Sequence, residues 1–178
     1  MLNTLLRFDT SSYLWCNRFL KSFPATCFFR YLSKSGDGYL YVLVAVLVLI
    51  STFEYAYALI ATALLAFSIE LPIYVLVKKT CRRQRPFIAL PHAQYALKPS
   101  DEFSLPSGHT AGAFVMASVI AVFLPSLSIM AFSWAALVGL SRVMLGVHYP
   151  SDIALGACLG LASAYVALCI LAPYASIP

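Results

Sequence analysis

Residues 39–77 read YLYVLVAVLVLISTFEYAYALIATALLAFSIELPIYVLV, and this apolar stretch decides the fold class of the chain. It contains two acids but no lysine or arginine. One helix over these residues would be about 58 Å long, whereas the hydrocarbon layer of a bilayer is about 30 Å thick. The stretch must therefore turn, and the polar residues 51–54 are the expected place. This predicts one membrane crossing over about residues 39–53 and a second over about residues 55–77.

The composition of the whole chain also indicates a membrane protein. Of its 178 residues 61% are hydrophobic and only 11% are charged, whereas soluble domains carry about a quarter charged residues. Residues 103–141 and 153–178 contain no Asp, Glu, Lys or Arg. Apolar stretches of this length are typical of membrane spans. The composition excludes a disordered chain, a nucleic-acid module and an ordinary soluble core.

The remaining apolar stretches predict three more spans, over about residues 107–124, 127–145 and 150–172. Residues 11–33 mix aromatic side chains with bases around Pro24, which favours a helix lying in the membrane interface. A sixth, irregular span over these residues remains the alternative. We therefore expect an all-α fold: a polytopic membrane helical bundle with five or six transmembrane helices and an N-terminal amphipathic or irregular helical segment.

We expect one membrane-embedded domain over residues 1–178, with residues 1–34 as its N-terminal segment. Counting the crossings places the polar segments 33–38, 78–106 and 141–152 on the same side of the bilayer. The opposite side receives only the short turns near Glu54 and Ser126. A functional site is therefore expected on the first side, within residues 78–152.

The first motif on that side joins Lys78 to Arg85 and Pro86. Seven residues are close to two helical turns, so both cations project from one side if the second span continues past Val77. Pro86 disfavours helix for the residue before it and is expected to end the helix at Arg85. Two such cations suit a phosphoryl group. Contact with lipid headgroups is the alternative, and the pattern alone favours it.

The second motif is Pro106-Ser107-Gly108-His109, at the start of the third predicted span. Ser107 is a good N-cap residue, and Gly108 allows a ligand to approach the backbone closely. The free N–H groups at a helix start bind anions, and His109 could donate a proton to such a ligand. A capped helix with an interfacial histidine explains the motif equally well.

The third motif contains Ser141, Arg142, His148 and Asp152. Pro150 is well placed to begin the last span, which puts Asp152 in its first turn and within reach of His148. An aspartate that holds one imidazole nitrogen fixes the tautomer and leaves the other nitrogen free to attack. Arg142 adds a third cation. The alternative is that His148 and Asp152 only cap the helix.

Together the motifs read KxxxxxxRP, PSGH and SRxxxxxHxxxD. With them the chain resembles the type-2 phosphatidic acid phosphatase superfamily, the lipid phosphate phosphatases that share a site with vanadium haloperoxidases and glucose-6-phosphatase. Every motif position and internal spacing fits. The match covers about residues 78–152. Residues 35–38, Ser-Gly-Asp-Gly, look like a polar segment often found near the start of the core in small bacterial members.

The resemblance implies a mechanism through a covalent phosphohistidine that water later hydrolyses. Carried over, His148 is the nucleophile, Asp152 orients it, and His109 is the general acid. The residues implied to hold the phosphoryl oxygens are Lys78, Arg85, Ser107, Gly108 and Arg142. Physical reasoning agrees, because a phosphoryl group needs charge stabilisation at its oxygens. We expect no metal ion and no cofactor, since we find no carboxylate cluster suited to magnesium.

We expect an amphiphilic lipid phosphate or pyrophosphate as substrate, with its headgroup in the site and its tail in the membrane lipids. Residues 87–103 are expected to form a lid. The substrates implied by the resemblance are undecaprenyl pyrophosphate, phosphatidylglycerol phosphate, phosphatidic acid and lipid A. The additional bases Lys79, Arg82 and Arg83 favour a polyprenyl pyrophosphate, and phosphatidylglycerol phosphate or phosphatidic acid is the alternative. A lipid transporter with a cationic groove is the alternative of another class.

We expect a multi-pass protein of the bacterial inner membrane, with no nucleic-acid partner and no obligate protein partner. The positive-inside rule would place the base-rich, site-bearing face in the cytoplasm. Lys78, Arg85 and Arg142 are however required by the chemistry, and the resemblance implies a periplasmic site. We therefore expect the site to face the periplasm.

Overall fold

The structure, a computed structural model, describes residues 2–51, 53–91, 93–99 and 101–174. It confirms the predicted all-α membrane bundle. The helices are α1 (Leu2–Asn17), α2 (Phe23–Ser35), α3 (Gly38–Ile50), α4 (Ala56–Cys81), α5 (Pro86–Ala89), α6 (Gly108–Phe123), α7 (Ser128–Met144) and α8 (Pro150–Leu171). Short 3₁₀ turns lie at Arg18–Lys21 and Pro125–Leu127. The predicted crossings correspond to α3, α4, α6, α7 and α8.

Within the described residues, three segments are long and apolar enough to cross a bilayer: Ala56–Ala89, Pro125–Met144 and Pro150–Leu171. The pair α2 and α3, bent by 51°, would form a fourth span if the two helices act together. By length and composition, the described helices therefore supply fewer membrane spans than the five or six that were expected. The reason is that α6 has only 16 residues and α3 only 13, so that each is about 24 Å long or shorter.

Helix α6 lies at the centre of the bundle, between α4, α7 and α8. Helix α8 approaches it closely because two glycines face the backbone of α6. A Cβ atom at Gly156 would lie 2.6 Å from the carbonyl oxygen of Ser107, and one at Gly160 would lie 2.3 Å from that of Ala111. Small residues allow such close helix packing in membranes. This contact brings the N-terminal ends of α6 and α8 together.

The N-terminal segment is helical and irregular, as expected, since a 3₁₀ turn separates α1 from α2. Helix α1 packs against α7 and α8, and α2 packs against α7. Tyr13 of α1 is fully buried and donates a hydrogen bond of 3.0 Å to the backbone oxygen of Gln94. The exposed side chains of α1 include Phe8 and Trp15. One face of α1 is therefore anchored beside the segments that carry the motifs.

The end of α4 differs from the prediction. The helix does continue past Val77, but it ends at Cys81 because Arg82 adopts a left-handed conformation with φ 46°. Arg85 is extended, with ψ 151°, and Pro86 begins α5. Proline restricts the preceding residue to extended conformations and is favoured at the first position of a helix. Lys78 and Arg85 therefore do not share a helix face; the chain turns back to bring Arg85 into the site.

Candidate active site

A polar cavity of about 320 Å³ lies at one end of the bundle. It is bounded by the N-terminal ends of α3 and α6, the middle and C-terminal parts of α4, the C-terminal end of α7 and the loops before α6 and α8. Six residues singled out by the motifs line it: Lys78, Arg85, Gly108, His109, Arg142 and His148. The structure thus gathers residues spread over 71 positions of sequence around a single cavity. Ser107 and Asp152, both fully buried, lie behind its wall.

His148 and Asp152 lie side by side, as the third motif predicts. Pro150 is the first residue of α8, and Nδ1 of His148 is 3.4 Å from Oδ2 of Asp152. Among the described residues Nδ1 has no partner with hydrogen-bond geometry, so this is a long contact. Nε2 is 3.5 Å from Nη1 of Arg85, on the cavity side. The same Asp152 oxygen accepts the backbone N–H of Tyr149 at 2.8 Å, so Asp152 caps α8 and faces the imidazole at once.

The protonation of His148 follows from its burial. Only 2% of its surface is exposed, and it lies near the cations Arg142 and Arg85. Burial in low dielectric disfavours the charged form, and it lowers the pKa of His148 to about 4 although Asp152 opposes the shift. At neutral pH the imidazole is therefore uncharged and keeps a lone pair.

A network that the sequence did not reveal holds the other side of Asp152. Arg83 donates from Nη1 to Oδ1 of Asp152 at 2.7 Å and from Nη2 to Oδ2 of Asp9 at 2.7 Å. Asp9, in α1, is 1% exposed and also accepts the Ser151 backbone N–H at 3.0 Å and the Ser151 hydroxyl at 2.5 Å. Helix α1 is thereby tied to the start of α8. The signal in the sequence was Asp9 itself, the only acid among residues 1–36.

This network corrects one expectation about the substrate. Arg83 was expected to help bind a diphosphate, but its guanidinium group already forms ion pairs with Asp9 and Asp152. Lys79 and Arg82 are exposed at the end of α4, where Nε of Arg82 donates to the Lys79 carbonyl oxygen at 3.0 Å. None of the three is among the described residues that line the cavity. These bases therefore give no physical reason to prefer a diphosphate.

His109, like His148, contacts an aspartate. Nε2 of His109 is 2.8 Å from Oδ1 of Asp37, the residue that precedes α3. His109 lies in the first turn of α6, and both residues line the cavity. The segment Ser-Gly-Asp-Gly was noted in the sequence, but its contact with the second motif could not be read from spacing. The cavity thus holds two imidazoles, each beside a carboxylate.

The two cations of the first motif are bridged by a carboxylate that lies in the predicted lid, residues 87–103, and in none of the three motifs. Asp101, in the loop between α5 and α6, forms ion pairs with both Lys78 and Arg85. Tyr74 donates its hydroxyl to Oδ2 of Asp101 at 2.5 Å, and Nη1 of Arg85 donates to the Val147 carbonyl oxygen at 2.7 Å. Burial opposes the ionisation of Asp101, but hydrogen bonds from Lys78 and Tyr74 and the nearby positive charges lower its pKa to about 2. The carboxylate is therefore ionised at all physiological pH values.

Arg142 and the start of α6 complete the wall. Arg142 is 3% exposed, and its Nη1 donates to the Ser33 hydroxyl at 2.6 Å. Its Nε is buried without a hydrogen-bond partner among the described residues. Gly108 lines the cavity against the ring of Tyr74, and a Cβ there would lie 2.9 Å from that ring. A larger residue would therefore collide with the wall.

Ser107 occupies the predicted N-cap position, but its side chain does not cap α6. Its hydroxyl accepts a hydrogen bond of 2.9 Å from the Thr110 hydroxyl, and its backbone N–H donates to the Asp152 carbonyl oxygen at 3.1 Å. Ser107 therefore joins the starts of α6 and α8. Ser107 is fully buried and is not among the described residues that line the cavity, so the contact between its hydroxyl and a phosphoryl group stays a prediction.

The arrangement is suited to an anion with several oxygens. Three cations, Lys78, Arg85 and Arg142, and the start of α6 face one space. Within the described ranges no group of three or more His, Cys, Asp or Glu side chains has the arrangement of a metal site. A neutral buried imidazole beside these cations is placed to attack an electrophile held by them.

Comparison with known proteins agrees with this chemistry. Residues 51–174 match the sequence profile of the PAP2 superfamily. The undecaprenyl-diphosphatase of Sulfolobus acidocaldarius is 32% identical over 134 residues, which cover 73% of this chain and 63% of that protein. Phosphatidylglycerophosphatase B of Bacillus subtilis is 39% identical over 110 residues, which cover 55% of this chain and 51% of that protein. The chain thus spans about half to two thirds of the length of these relatives.

A solved structure has the same fold. The crystal structure of Aquifex aeolicus LpxE superposes with a TM-score of 0.80 at 25% sequence identity. The match covers 90% of this chain and 94% of that one. The match therefore extends into the N-terminal segment, which lies outside the profile match.

Proposed function

The chain belongs to the PAP2 superfamily, and on this premise we propose that it is a membrane lipid phosphatase that works through a phosphohistidine. The observation that carries the proposal is the single cavity in which two histidines, each beside an aspartate, meet three cations. A phosphoryl group needs positioning and stabilisation of charge on its oxygens, and this cavity offers both.

In the proposed first step, Nε2 of His148 attacks phosphorus with its lone pair. The P–N bond forms as the bond from phosphorus to the leaving oxygen breaks, and His109 donates a proton to that oxygen. Nδ1 of His148 carries the ring proton and points toward Asp152, which stabilises the positive charge that develops on the imidazole. Lys78, Arg85 and Arg142, with the start of α6 at Gly108, hold the phosphoryl oxygens.

In the proposed second step, water attacks the phosphohistidine. His109 is now neutral and takes a proton from the water as the new P–O bond forms. The P–N bond breaks, its electron pair returns to Nε2, and phosphate leaves. Asp37, 2.8 Å from His109, holds the imidazole in place for both proton transfers.

We propose a polyprenyl diphosphate as the substrate, which the enzyme converts to the monophosphate. The support comes from the Sulfolobus acidocaldarius relative, which matches more of this chain than the Bacillus subtilis relative does. It is named an undecaprenyl-diphosphatase. Phosphatidylglycerol phosphate is the second candidate, because the more identical relative is named a phosphatidylglycerophosphatase. Either would place its headgroup in the cavity and its chain along the exposed apolar surface of the bundle.

The proposal is tested by phosphate release from a panel of lipid phosphates in detergent, with a chelator present. The panel contains undecaprenyl pyrophosphate, phosphatidylglycerol phosphate, phosphatidic acid and lipid A. We expect release from at least one lipid, and its loss in His148→Ala together with loss of the phosphoenzyme. Glu54→Gln is the control, since Glu54 is exposed in the turn before α4, at the end of the bundle away from the cavity.

Two results would contradict the proposal. Near-normal phosphate release by His148→Ala would refute the assignment of the nucleophile. Movement of a labelled lipid across the bilayer without any phosphate release would favour a transporter that uses the cationic groove.

A further inference from the structure

Asp101 reaches into the cavity and occupies the two cations of the first motif at the same time. Its Oδ2 contacts Nζ of Lys78 and the hydroxyl of Tyr74, and its Oδ1 contacts Nη2 of Arg85. Nε of Arg85 also donates to the backbone oxygen of Asp101 at 3.2 Å. Two oxygens on one atom thus bridge two cations, as two oxygens of a phosphoryl group would. No step of the proposed reaction uses this carboxylate.

The pairing neutralises charges that are costly to bury. The side chain of Lys78 is 8% exposed and that of Arg85 is 2% exposed, whereas that of Asp101 is 32% exposed at the mouth of the cavity. A buried cation without a counter-ion is strongly unfavourable, so the carboxylate stabilises the ligand-free site. Asp101 stays ionised at physiological pH. An incoming phosphate therefore has to displace a negative charge that protonation will not remove.

We propose that Asp101 competes with phosphate for Lys78 and Arg85 and thereby limits the affinity of the cavity for free phosphate. The inference rests on the proposed function and deepens it. Displacing the carboxylate weakens the binding of every phosphate by the same factor. Free inorganic phosphate has no further contacts to offset this loss, whereas a lipid phosphate is concentrated in the bilayer and binds through its chain as well. Asp101 thereby keeps free phosphate, which is also the product, from filling the site.

A purely structural role for Asp101 predicts the opposite result. If the carboxylate only held Lys78 and Arg85 in position for a phosphate, its removal would weaken phosphate binding. If it competes, its removal strengthens that binding. The sign of the change separates the two roles.

The test is calorimetric titration of inorganic phosphate into the detergent-solubilised protein, which requires no turnover. We expect Asp101→Asn to bind phosphate about tenfold to a hundredfold more tightly, since a like charge in contact with an anion costs several times the thermal energy. Glu102→Gln is the matched control: it removes the same charge one residue away, from an exposed side chain outside the cavity lining. Its affinity should equal that of the wild type.

A second variant guards against a folding defect. Asp101→Ala also removes the carboxylate but leaves space, and the rise in its unfolding temperature on addition of inorganic phosphate should exceed that of the wild type. The inference is overturned if neither variant binds phosphate more tightly than the wild type, or if Glu102→Gln shows the same gain. The proposed function is tested separately: if the wild type releases phosphate from a lipid, the proposed function holds even though the inference about Asp101 fails.

Discussion

The imidazole of His148 is buried between Asp152 on one side and Arg85 on the other. Because burial lowers the pKa of His148 to about 4, this proposed nucleophile stays neutral far below the pH at which an ordinary histidine gains a proton. Below that pKa the lone pair is lost to a proton. The burial of this one residue therefore sets the acidic limit of the proposed reaction.

We predict that the rate of phosphohistidine formation does not decline as pH falls past 6.5, since a lower pH only increases the protonated fraction of the proposed acid His109, and that it declines as pH approaches about 4. The neutral fraction of His148 exceeds nine tenths one unit above its pKa. Single-turnover kinetics across this pH range measures the decline. The ionisation of the substrate phosphate, near pH 6, is followed separately by phosphorus NMR. A decline centred near 6.5 that does not follow the substrate would contradict the predicted environment of His148.

Which residues the sequence could identify depends on how they are connected. Residues of the three motifs have fixed spacings, so the sequence placed His109, His148 and Asp152 at one site. Asp101 and the Asp9–Arg83 pair have no such spacing; Asp9 and Arg83 are 74 positions apart. Contacts of this kind depend on the packing of whole helices. No periodicity of the chain encodes them.

At the scale of the element, the long helices could be predicted from the length of the apolar stretches, and the turns between them from polar or proline residues. The start of α8 at Pro150 agrees with the prediction, and α6 begins one residue after the expected Ser107. The end of α4 could not be predicted, because the left-handed Arg82 stops the helix four residues before Pro86 would. The contact of α1 with the start of α8 was not predicted, because it depends on one buried acid, Asp9, in a segment without a motif.

We predict that Asp9→Asn slows turnover about tenfold, with little change in KM. The substitution removes one of the two charges that hold Arg83, so Arg83 loses its fixed position beside Asp152. Loss of a charged hydrogen bond of this kind costs about 1.5–3 kcal/mol. Initial rates measure the split between kcat and KM, and limited proteolysis reports whether α1 detaches. Arg7→Gln, an exposed charge change on the same helix, should behave as the wild type. A large rise in KM at constant kcat would contradict a positioning role.

At the scale of the whole molecule, charge is concentrated at one end of the bundle. The turn before α4 carries only Glu54, and the turn at Pro125–Leu127 carries no charge. Lys78, Arg85 and Arg142 line the cavity and Arg83 is paired with two acids, so these four cations are fixed by the site. They should not be counted when the positive-inside rule is applied, although other bases remain near the same end. We propose that this end faces the periplasm.

Two positions at opposite ends of the bundle test this orientation. Lys98 is exposed in the loop before α6, on the cavity side, and Glu54 is exposed in the turn before α4. In a cysteine-free background expressed in a bacterial inner membrane, a membrane-impermeant thiol reagent added to cells with a permeable outer membrane should label Lys98→Cys but not Glu54→Cys. Both should be labelled after lysis, because each side chain is exposed. Labelling of Glu54→Cys alone in intact cells would place the site in the cytoplasm. A lipid phosphate could then reach the cavity only from the inner leaflet, because the headgroup has to arrive on the side where Lys78, Arg85 and Arg142 lie.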